Sequence, residues 1–203
     1  PRPLELPGID HPKVLSYIDV LKHHRPVGEK VAIIGAGGIG FDVAEYLSQA
    51  SSSSSLDIAA FMEEWGVDMA YQNKGGLKDP HPEKPERTIY LLQRSKGKLG
   101  ERLGKTTGWI HRSSLKNRKV EMIGAVQYHR IDEQGLHISI DDVPQVLDVD
   151  QVIVCAGQEP LRELSEPLQS HGVTVHLIGG ADEARELDAK RAIDQASRLA
   201  AQV

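Results

Sequence analysis

The stretch that decides the fold is Lys-Val-Ala-Ile-Ile-Gly-Ala-Gly-Gly-Ile-Gly, residues Lys30–Gly40. Its apolar first half predicts a buried strand, and a G-x-G-x-x-G spacing begins at Gly35 directly after it. Apolar residues then recur at helical spacing from residue 39 to residue 50. A strand, a glycine turn and a helix in this order are the context in which the motif predicts a dinucleotide-binding site.

The glycines of this turn have separate physical roles. We expect Gly35 to permit the tight turn off the strand and Gly37 to let the backbone approach a pyrophosphate. Gly40 lets the helix pack closely on the sheet, and Gly38 belongs to the same candidate site at the helix start. Free N–H groups and the helix dipole favour an anion there. The alternative is a glycine-rich turn with a purely structural role.

The end of the second strand decides which dinucleotide is bound, because NAD enzymes have an acidic residue there and NADP enzymes an arginine nearby. Counting about 20 residues from the glycine turn selects Asp57, but Leu56–Trp65 has helical spacing. If the second strand is instead Thr88–Gln93, the deciding residues are Arg94 and Ser95. A guanidinium and a hydroxyl suit a 2′-phosphate, so this reading favours NADPH over NADH. Three further basic residues add positive charge: Lys96, Lys98 and Arg102. An exposed, solvated basic loop is the alternative.

The order of the remaining segments predicts the fold class. Strands that alternate with helices indicate an α/β fold with a Rossmann-like, mainly parallel sheet. Alternating polarity around residues 132–135 adds an antiparallel β-ribbon, to which 145–149 contributes a third strand. Further strands are predicted at 120–123, 151–155 and 173–178, and helices over 14–21, 107–117 and 187–201, the last with Ala192, Ile193, Ala196, Leu199 and Ala200 facing inward. Residues 51–87 contain too few apolar residues for a core and are predicted to be a surface insertion.

Composition excludes several classes of protein. The 203 residues fit one domain or two small ones, and 24 Lys+Arg against 29 Asp+Glu give a net charge of −5. This balance argues against general binding to nucleic acid or anionic membranes. A single cysteine, Cys155, excludes a disulfide framework, a zinc ribbon or an iron–sulfur cluster held by this chain alone, and we expect it to be a small buried side chain. No apolar run reaches about 20 residues and no signal-peptide pattern is present, so we expect a cytoplasmic protein.

Other motifs for catalysis or metal binding are incomplete. The segment Gly104-Lys105-Thr106-Thr107 resembles the end of a P-loop, but that motif needs glycine at position 99, where Leu99 stands. A threonine of this segment is predicted to cap the following helix. The nine histidines lack paired metal-ligand spacing, so we expect no metal site, and no nucleophile elbow or Ser/His/Asp arrangement is evident. Trp109 and His111 near that helix start either face a cofactor or, for the tryptophan, lie in the core.

Several segments together resemble the C-terminal part of bacterial NADPH-dependent 2,4-dienoyl-CoA reductases, which are related to trimethylamine-dehydrogenase-like flavoproteins. The most specific are Gly-Lys-Thr-Thr-Gly-Trp-Ile-His-Arg at Gly104–Arg112 and Glu-Leu-Asp-Ala-Lys-Arg-Ala at Glu186–Ala192. The resemblance covers essentially the whole chain and includes these further segments: residues 6–12, 33–42, 152–160 and 178–192.

The resemblance implies a three-part flavoenzyme of unsaturated fatty acid β-oxidation. Such enzymes have a barrel with FMN and an iron–sulfur cluster, an FAD domain, and an NADPH domain inserted into the FAD domain. Residues 1–26 would end the first FAD-domain segment, residues 27–156 would form the NADPH domain, and residues 157–203 would be the last FAD-domain segment. Hydride would pass from NADPH to FAD, and electrons onward through the cluster to FMN, where the dienoyl-CoA is reduced. The substrate site and its acid/base residues would lie outside this chain.

By the same resemblance, Arg94 and Ser95 border NADPH. The residues that would border FAD are Trp109, Gly180, Asp182, Leu187, Asp188 and Ala189. The expected partners are NADPH and the remaining FMN and FAD domains of the full-length chain. Two alternatives stay open: a related NADPH-dependent enone or enoate flavin reductase, and a dinucleotide-binding module without redox chemistry.

Overall fold

The computed structural model describes residues 1–49, 54–184 and 189–203. The chain forms two compact units. One contains Leu4–Ala156, and the other contains Pro1–Pro3 together with Gly157–Val203.

The larger unit contains eight strands among the described residues: β1 (Val14–Ser16), β2 (Lys30–Ile34), β3 (Thr88–Leu92), β4 (Glu121–Ile123), β5 (Val126–Asp132), β6 (Gly135–Ile140), β7 (Val143–Leu147) and β8 (Gln151–Val154). Its helices are α1 (Tyr17–Leu21), α2 (Gly38–Ser48), α3 (Ile58–Glu64) and α4 (Gly108–Asn117). Five strands form a parallel sheet in the order β1-β8-β2-β3-β4, and β5-β6-β7 form an antiparallel sheet. The predicted fold class is confirmed.

Both faces of the parallel sheet are covered, which explains the uninterrupted apolar run of β2. Val31 and Ile33 face a core cluster that includes residues of α2 and α4. Ala32 and Ile34 face a second cluster, built with the antiparallel sheet. All four side chains are at most 1% exposed, as is typical of central parallel strands.

The predicted helix over residues 14–21 is wrong in its first turn. Val14 lies in β1 and pairs with Val152 of β8. The helix begins only after Ser16, whose side chain accepts a hydrogen bond of 3.1 Å from the Asp19 backbone N–H, while the Asp19 carboxylate accepts one of 2.9 Å from Ser16. This capping box fixes the helix start and leaves the preceding residues to extend the sheet.

The insertion is attached to the sheet's helical layer through α3. Arg118, which follows α4, donates a hydrogen bond of 2.7 Å from Nη2 to Oε1 of Glu64 in α3. Asp57 caps α3, its side chain accepting a 2.9 Å hydrogen bond from the Ala60 N–H. The helix that the spacing of Leu56–Trp65 predicts is present over Ile58–Glu64, and the second strand of the fold is β3, which pairs with β2 in parallel.

The smaller unit contains three helices among its described residues: α5 (Ser165–Ser170), α6 (Gly179–Asp182) and α7 (Ala189–Ala200). The predicted strand over residues 173–178 is wrong. Ile178 has an extended backbone, but no strand occurs among the described residues of this unit to pair with it. The prediction that Ile193 and Ala200 face inward is also wrong, since both are exposed, whereas Ala192, Ala196 and Leu199 are partly buried.

Candidate functional site

The glycine turn between β2 and α2 lies between the carboxyl ends of the neighbouring strands. The Gly35 N–H donates to the Leu92 carbonyl at 2.9 Å, and the Cys155 N–H donates to the Ile34 carbonyl at 2.9 Å. Gly35 has φ +108°, a conformation that side chains other than glycine rarely adopt. A Cβ there would lie 3.0 Å from the Cys155 carbonyl group. The turn therefore requires glycine at its first position.

The other glycines divide into one that is enclosed and two that face open space. A Cβ on Gly40 would lie 1.8 Å from the Gly35 carbonyl oxygen, so α2 can approach the turn only with glycine there. Around Gly37 and Gly38, no described atom lies within 4 Å of such a Cβ. Backbone at these two residues is thus open to a ligand, which is the arrangement that a bound pyrophosphate needs.

The start of α2 has the electrostatic character of an anion site. Its N-cap is Gly37, and within the described part of the chain no side chain caps this end. The first turn contains no acidic residue. The unpaired N–H groups and the positive end of the helix dipole therefore face the open space beside Gly37 and Gly38.

The predicted discriminating residues lie just beyond β3, separated from it by Gln93. Arg94 and Ser95 are both exposed. Gln93, which the sequence analysis did not single out, organises the loop: its Nε2 donates to the carbonyls of Ser95 at 3.1 Å and Gly97 at 3.2 Å. Glutamine at a strand end has no distinctive sequence signal, since its role depends on how the following loop folds back.

A cleft of about 270 Å³ joins the glycine turn to this loop. Gly37 and Ser95 both line it, so the structure brings these two predicted residues together. The charged residues on its walls are Lys96, Lys98, Arg102 and Glu101, three cations and one carboxylate. Arg94 does not line this cleft, and its charge acts instead on the phenol of Tyr128 in β5.

The N-terminal half of α4 presents an exposed tryptophan rather than a core one. The side chain of Trp109 is 57% exposed. It lines a second cavity of about 480 Å³ together with Lys98, Arg112 and Lys116. His111 contacts α2 through a 3.2 Å pair between its Nδ1 and Oε2 of Glu45. Thr107 occupies the N-cap position of α4 without the predicted side-chain hydrogen bond.

The predicted FAD-bordering residues of the smaller unit have the following positions. Gly180 and Asp182 lie in α6, and Ala189 is the exposed first residue of α7. Oδ2 of Asp182 accepts a 2.8 Å hydrogen bond from the Gln195 amide, whose Oε1 in turn accepts from the Gly179 N–H at 2.7 Å. Leu187 and Asp188 lie outside the described residues.

Neither Cys155 nor any cluster of metal-ligating side chains among the described residues adds a candidate functional group. The thiol is 7% exposed, and burial raises its pKa to about 12, so it is protonated at neutral pH as expected of a small core side chain. Over residues 1–49, 54–184 and 189–203 no group of three or more potential ligands could hold a metal ion. In the same residues no helix has the length and apolar character needed to cross a membrane.

A family model agrees with the glycine turn and the parallel sheet. The model described as pyridine nucleotide-disulphide oxidoreductase matches residues 1–188. The chain belongs to this family. Members of this oxidoreductase family bind FAD and NAD(P)H.

Individual relatives are distant in sequence and longer than this chain. A metal reductase of Desulforamulus reducens is 23% identical over 183 residues, covering 86% of this chain and 25% of the relative. Among solved structures, the complex of 2-naphthoyl-CoA reductase with 2-naphthoyl-CoA has a TM-score of 0.69 at 19% identity, covering 95% of this chain and 24% of the other. The 6-hydroxypseudooxynicotine amine oxidase of Pseudomonas geniculata N1 has a TM-score of 0.64 at 17% identity, covering 92% and 24%. These structures establish the shared fold, and the oxidoreductase domain spans about a quarter of the length of each relative.

Proposed function

We propose that this chain is the NADPH-binding portion of a 2,4-dienoyl-CoA reductase and passes hydride from NADPH to FAD. The observation that carries the nucleotide half of the proposal is the cleft shared by the open backbone of Gly37 and the basic loop after β3. The substrate half rests on the resemblance carried by Gly104–Arg112 and Glu186–Ala192. Membership of the pyridine nucleotide-disulphide oxidoreductase family supports the nucleotide half.

The pyrophosphate of the nucleotide would rest at the start of α2. Gly37 and Gly38 leave its approach free, and the N–H groups of the first helical turn would donate to its oxygens. Lys96, Lys98 and Arg102 raise the positive potential of the same cleft.

The choice of NADPH over NADH would be made by Arg94 and Ser95. An acidic residue at the end of the second strand would bind a ribose 2′-OH and repel a 2′-phosphate, and residues 93–98 contain none. Asp57, the alternative candidate for an NAD enzyme, is occupied as the cap of α3 and is not at a strand end. A guanidinium and a hydroxyl in this place suit a phosphate.

The proposal of FAD and the remaining electron carriers rests on the resemblance to 2,4-dienoyl-CoA reductases. We infer that Trp109, Gly180, Asp182, Leu187, Asp188 and Ala189 border FAD, which would supply the hydride-accepting chemistry when bound. Residues 1–26 and 157–203 would be FAD-domain segments around the NADPH domain of residues 27–156. The FMN, the iron–sulfur cluster and the dienoyl-CoA site would lie in other parts of the full-length chain, and no catalytic acid or base is assigned here.

Binding of oxidised nucleotides to the full-length protein tests the nucleotide half. Calorimetric titration should give a lower Kd for NADP⁺ than for NAD⁺, and Arg94→Ala should weaken NADP⁺ binding about ten- to a hundredfold, because a charge-assisted hydrogen bond contributes about 1.5–3 kcal/mol. NAD⁺ binding should not change. Arg25→Ala, which removes an exposed arginine after α1 and away from the loop that follows β3, is the matched control. Equal affinities for the two nucleotides, unaffected by Arg94→Ala, would contradict the proposal.

Turnover assays test the substrate half separately. The full-length protein with NADPH should reduce a 2,4-dienoyl-CoA faster than a simple cyclic enone. The reverse preference would indicate a related enone reductase, and NADPH binding without reduction of either compound would indicate a non-catalytic module.

A further inference from the structure

Tyr128 has a buried hydroxyl that the proposed function does not use. The side chain projects from β5 and is partly buried against the second core cluster. Its hydroxyl oxygen is inaccessible to solvent and has no hydrogen-bond partner among the described residues. Buried hydroxyls are nearly always hydrogen-bonded, so an unpaired one calls for a functional explanation.

The backbone holds Tyr128 beside the loop that follows β3. The Ala125 N–H donates to the Ser95 carbonyl at 3.1 Å, and the Val126 N–H donates to the Gln93 carbonyl at 3.0 Å. Tyr128 is two residues beyond Val126 on β5 and therefore shares its face of the strand. Both side chains pack in the cluster that contains Leu92.

Arg94 reaches the same place from β3. It lies two residues beyond Leu92, the last residue of β3, and does not line the cleft beside Gly37. Its side chain is exposed and forms no ion pair within the described part of the chain. Burial raises the pKa of the Tyr128 hydroxyl, and the positive charge of Arg94 opposes this with a smaller lowering effect. The hydroxyl therefore stays protonated and is available as a donor at neutral pH.

We propose that the Tyr128 hydroxyl is a second recognition element for the nucleotide 2′-phosphate, donating its O–H to a phosphate oxygen while Arg94 supplies the opposite charge. This inference rests on the proposed binding of NADPH. Arg94 is exposed and forms no ion pair with the described residues, and in this proposal a change of its rotamer when an anion arrives would give the phosphate access to the hydroxyl. The phosphate thereby gains one donor from β5 and one from the loop after β3, whereas the 2′-OH of NADH leaves Tyr128 unpaired.

The sheltered position makes this donor selective. A hydrogen bond from a buried hydroxyl to a charged oxygen is stronger than one made in water. NADH has no charge at that position and leaves the unpaired hydroxyl as it is in the free protein. Tyr128 should thus affect binding of the phosphorylated nucleotide alone.

The test is the Tyr128→Phe variant of the full-length protein, titrated with NADP⁺, NAD⁺, 2′,5′-ADP and 5′-ADP. We expect the Kd values for NADP⁺ and 2′,5′-ADP to rise about tenfold or more, the loss expected for a hydrogen bond to a charged group, and those for NAD⁺ and 5′-ADP to stay unchanged. The melting temperature without nucleotide should not fall, because the variant removes only an unpaired hydroxyl. Tyr90→Phe, in the same core cluster on β3, is the matched control and should change none of these values.

Each of the other outcomes rejects the role of Tyr128, and one of them also rejects the proposed function. If Arg94→Ala weakens NADP⁺ binding and Tyr128→Phe does not, the role of Tyr128 is rejected and the proposed function stands. If Tyr128→Phe weakens all four ligands equally or lowers the melting temperature, the residue is structural and the inference is rejected. If the unmodified protein does not prefer NADP⁺ over NAD⁺, both proposals are overturned.

Discussion

Gly40 lies against Gly35 so closely that a Cβ on Gly40 would be 1.8 Å from the Gly35 carbonyl oxygen. Both glycines belong to the G-x-G-x-x-G segment, but each position requires glycine for a different reason. Gly35 has a positive φ, whereas Gly40 is needed because the first turn of α2 lies against the backbone of Gly35 in the turn after β2. This contact fixes the height of the helix start above the sheet, and hence where an anion can bind.

Gly40→Ala should therefore destabilise the fold itself. A clash with backbone cannot be relieved by moving a side chain, so we expect a loss of at least about 3 kcal/mol in the free energy of unfolding, measured by urea denaturation. Gly38→Ala is the control, because its Cβ meets no described atom within 4 Å and should leave stability nearly unchanged. Equal stabilities of the two variants would contradict this account of the turn.

Gly37→Ala should leave the fold stable and weaken nucleotide binding instead. A Cβ at this residue projects into open space, so the fold should be retained. The same methyl group would occupy the place where a pyrophosphate approaches the backbone, and we expect the Kd for NADP⁺ to rise at least about tenfold. The melting temperature checks that the fold is retained, and calorimetric titration measures the Kd for NADP⁺. Unchanged nucleotide binding in a folded variant would remove Gly37 from the site.

The pair between Arg118 and Glu64 should stabilise the attachment of the insertion. Both side chains are less than 15% exposed, and their atoms lie 2.7 Å apart. Arg118→Met leaves the carboxylate buried without its cation, which should cost about 3–5 kcal/mol in urea unfolding, and adding Glu64→Leu should restore much of that loss.

An exposed ion pair, Lys30 with Asp148, serves as the control for this buried pair. Asp148→Asn removes the partner of Lys30, a 2.5 Å pair whose side chains are both at least half exposed. Solvent screening should make its effect on stability too small to detect. A cost for Arg118→Met no larger than that of Asp148→Asn would show that the buried pair does not hold the insertion.

Asp132 should contribute to stability in a defined acid range. Hydrogen bonds from His137, Arg130 and the Gln134 N–H lower the pKa of this carboxyl from its ordinary value of 3.8 to about 2. Because the folded value is the lower one, the contribution is present above pH 4 and is lost as the pH falls towards 2. Asp132→Asn should flatten the stability profile between these values, measured as urea unfolding at a series of pH. An identical slope in both proteins would refute the assignment.

Cys155 should be inert in the folded protein. Its thiol is buried and its pKa is raised to about 12, so the reactive thiolate is absent near neutral pH. It is the single cysteine of the chain, which makes the reading unambiguous. A colorimetric thiol reagent at pH 8 should label the native chain slowly and the urea-unfolded chain at once. Rapid labelling of the native form would mean that the carboxyl end of β8 is open to solvent.

The sequence by itself determined the elements whose signals are local. The run Val31–Ile34 with its glycine turn, the helical spacing around Ile58 and the polarity alternation of the ribbon each specify backbone conformation within a few residues, and all three are observed. The choice of Arg94 over Asp57 as the residue after the second strand followed from the same periodicity. A strand start at Val14, by contrast, depends on pairing with β8, more than 130 residues away in the chain.

Tertiary structure alone decided the contacts made by residues without a local signature. Gln93 folds back on its own loop, Trp109 is exposed rather than buried, and residues 173–178 form no strand, since the described part of the smaller unit offers none to pair with. The buried hydroxyl of Tyr128 comes beside Arg94 only because the ribbon packs on the end of β3. Periodicity states which face of an element is apolar, but not which other element covers it. That depends on packing between segments far apart in sequence, which for this chain sets the neighbours of the residues proposed to recognise the nucleotide.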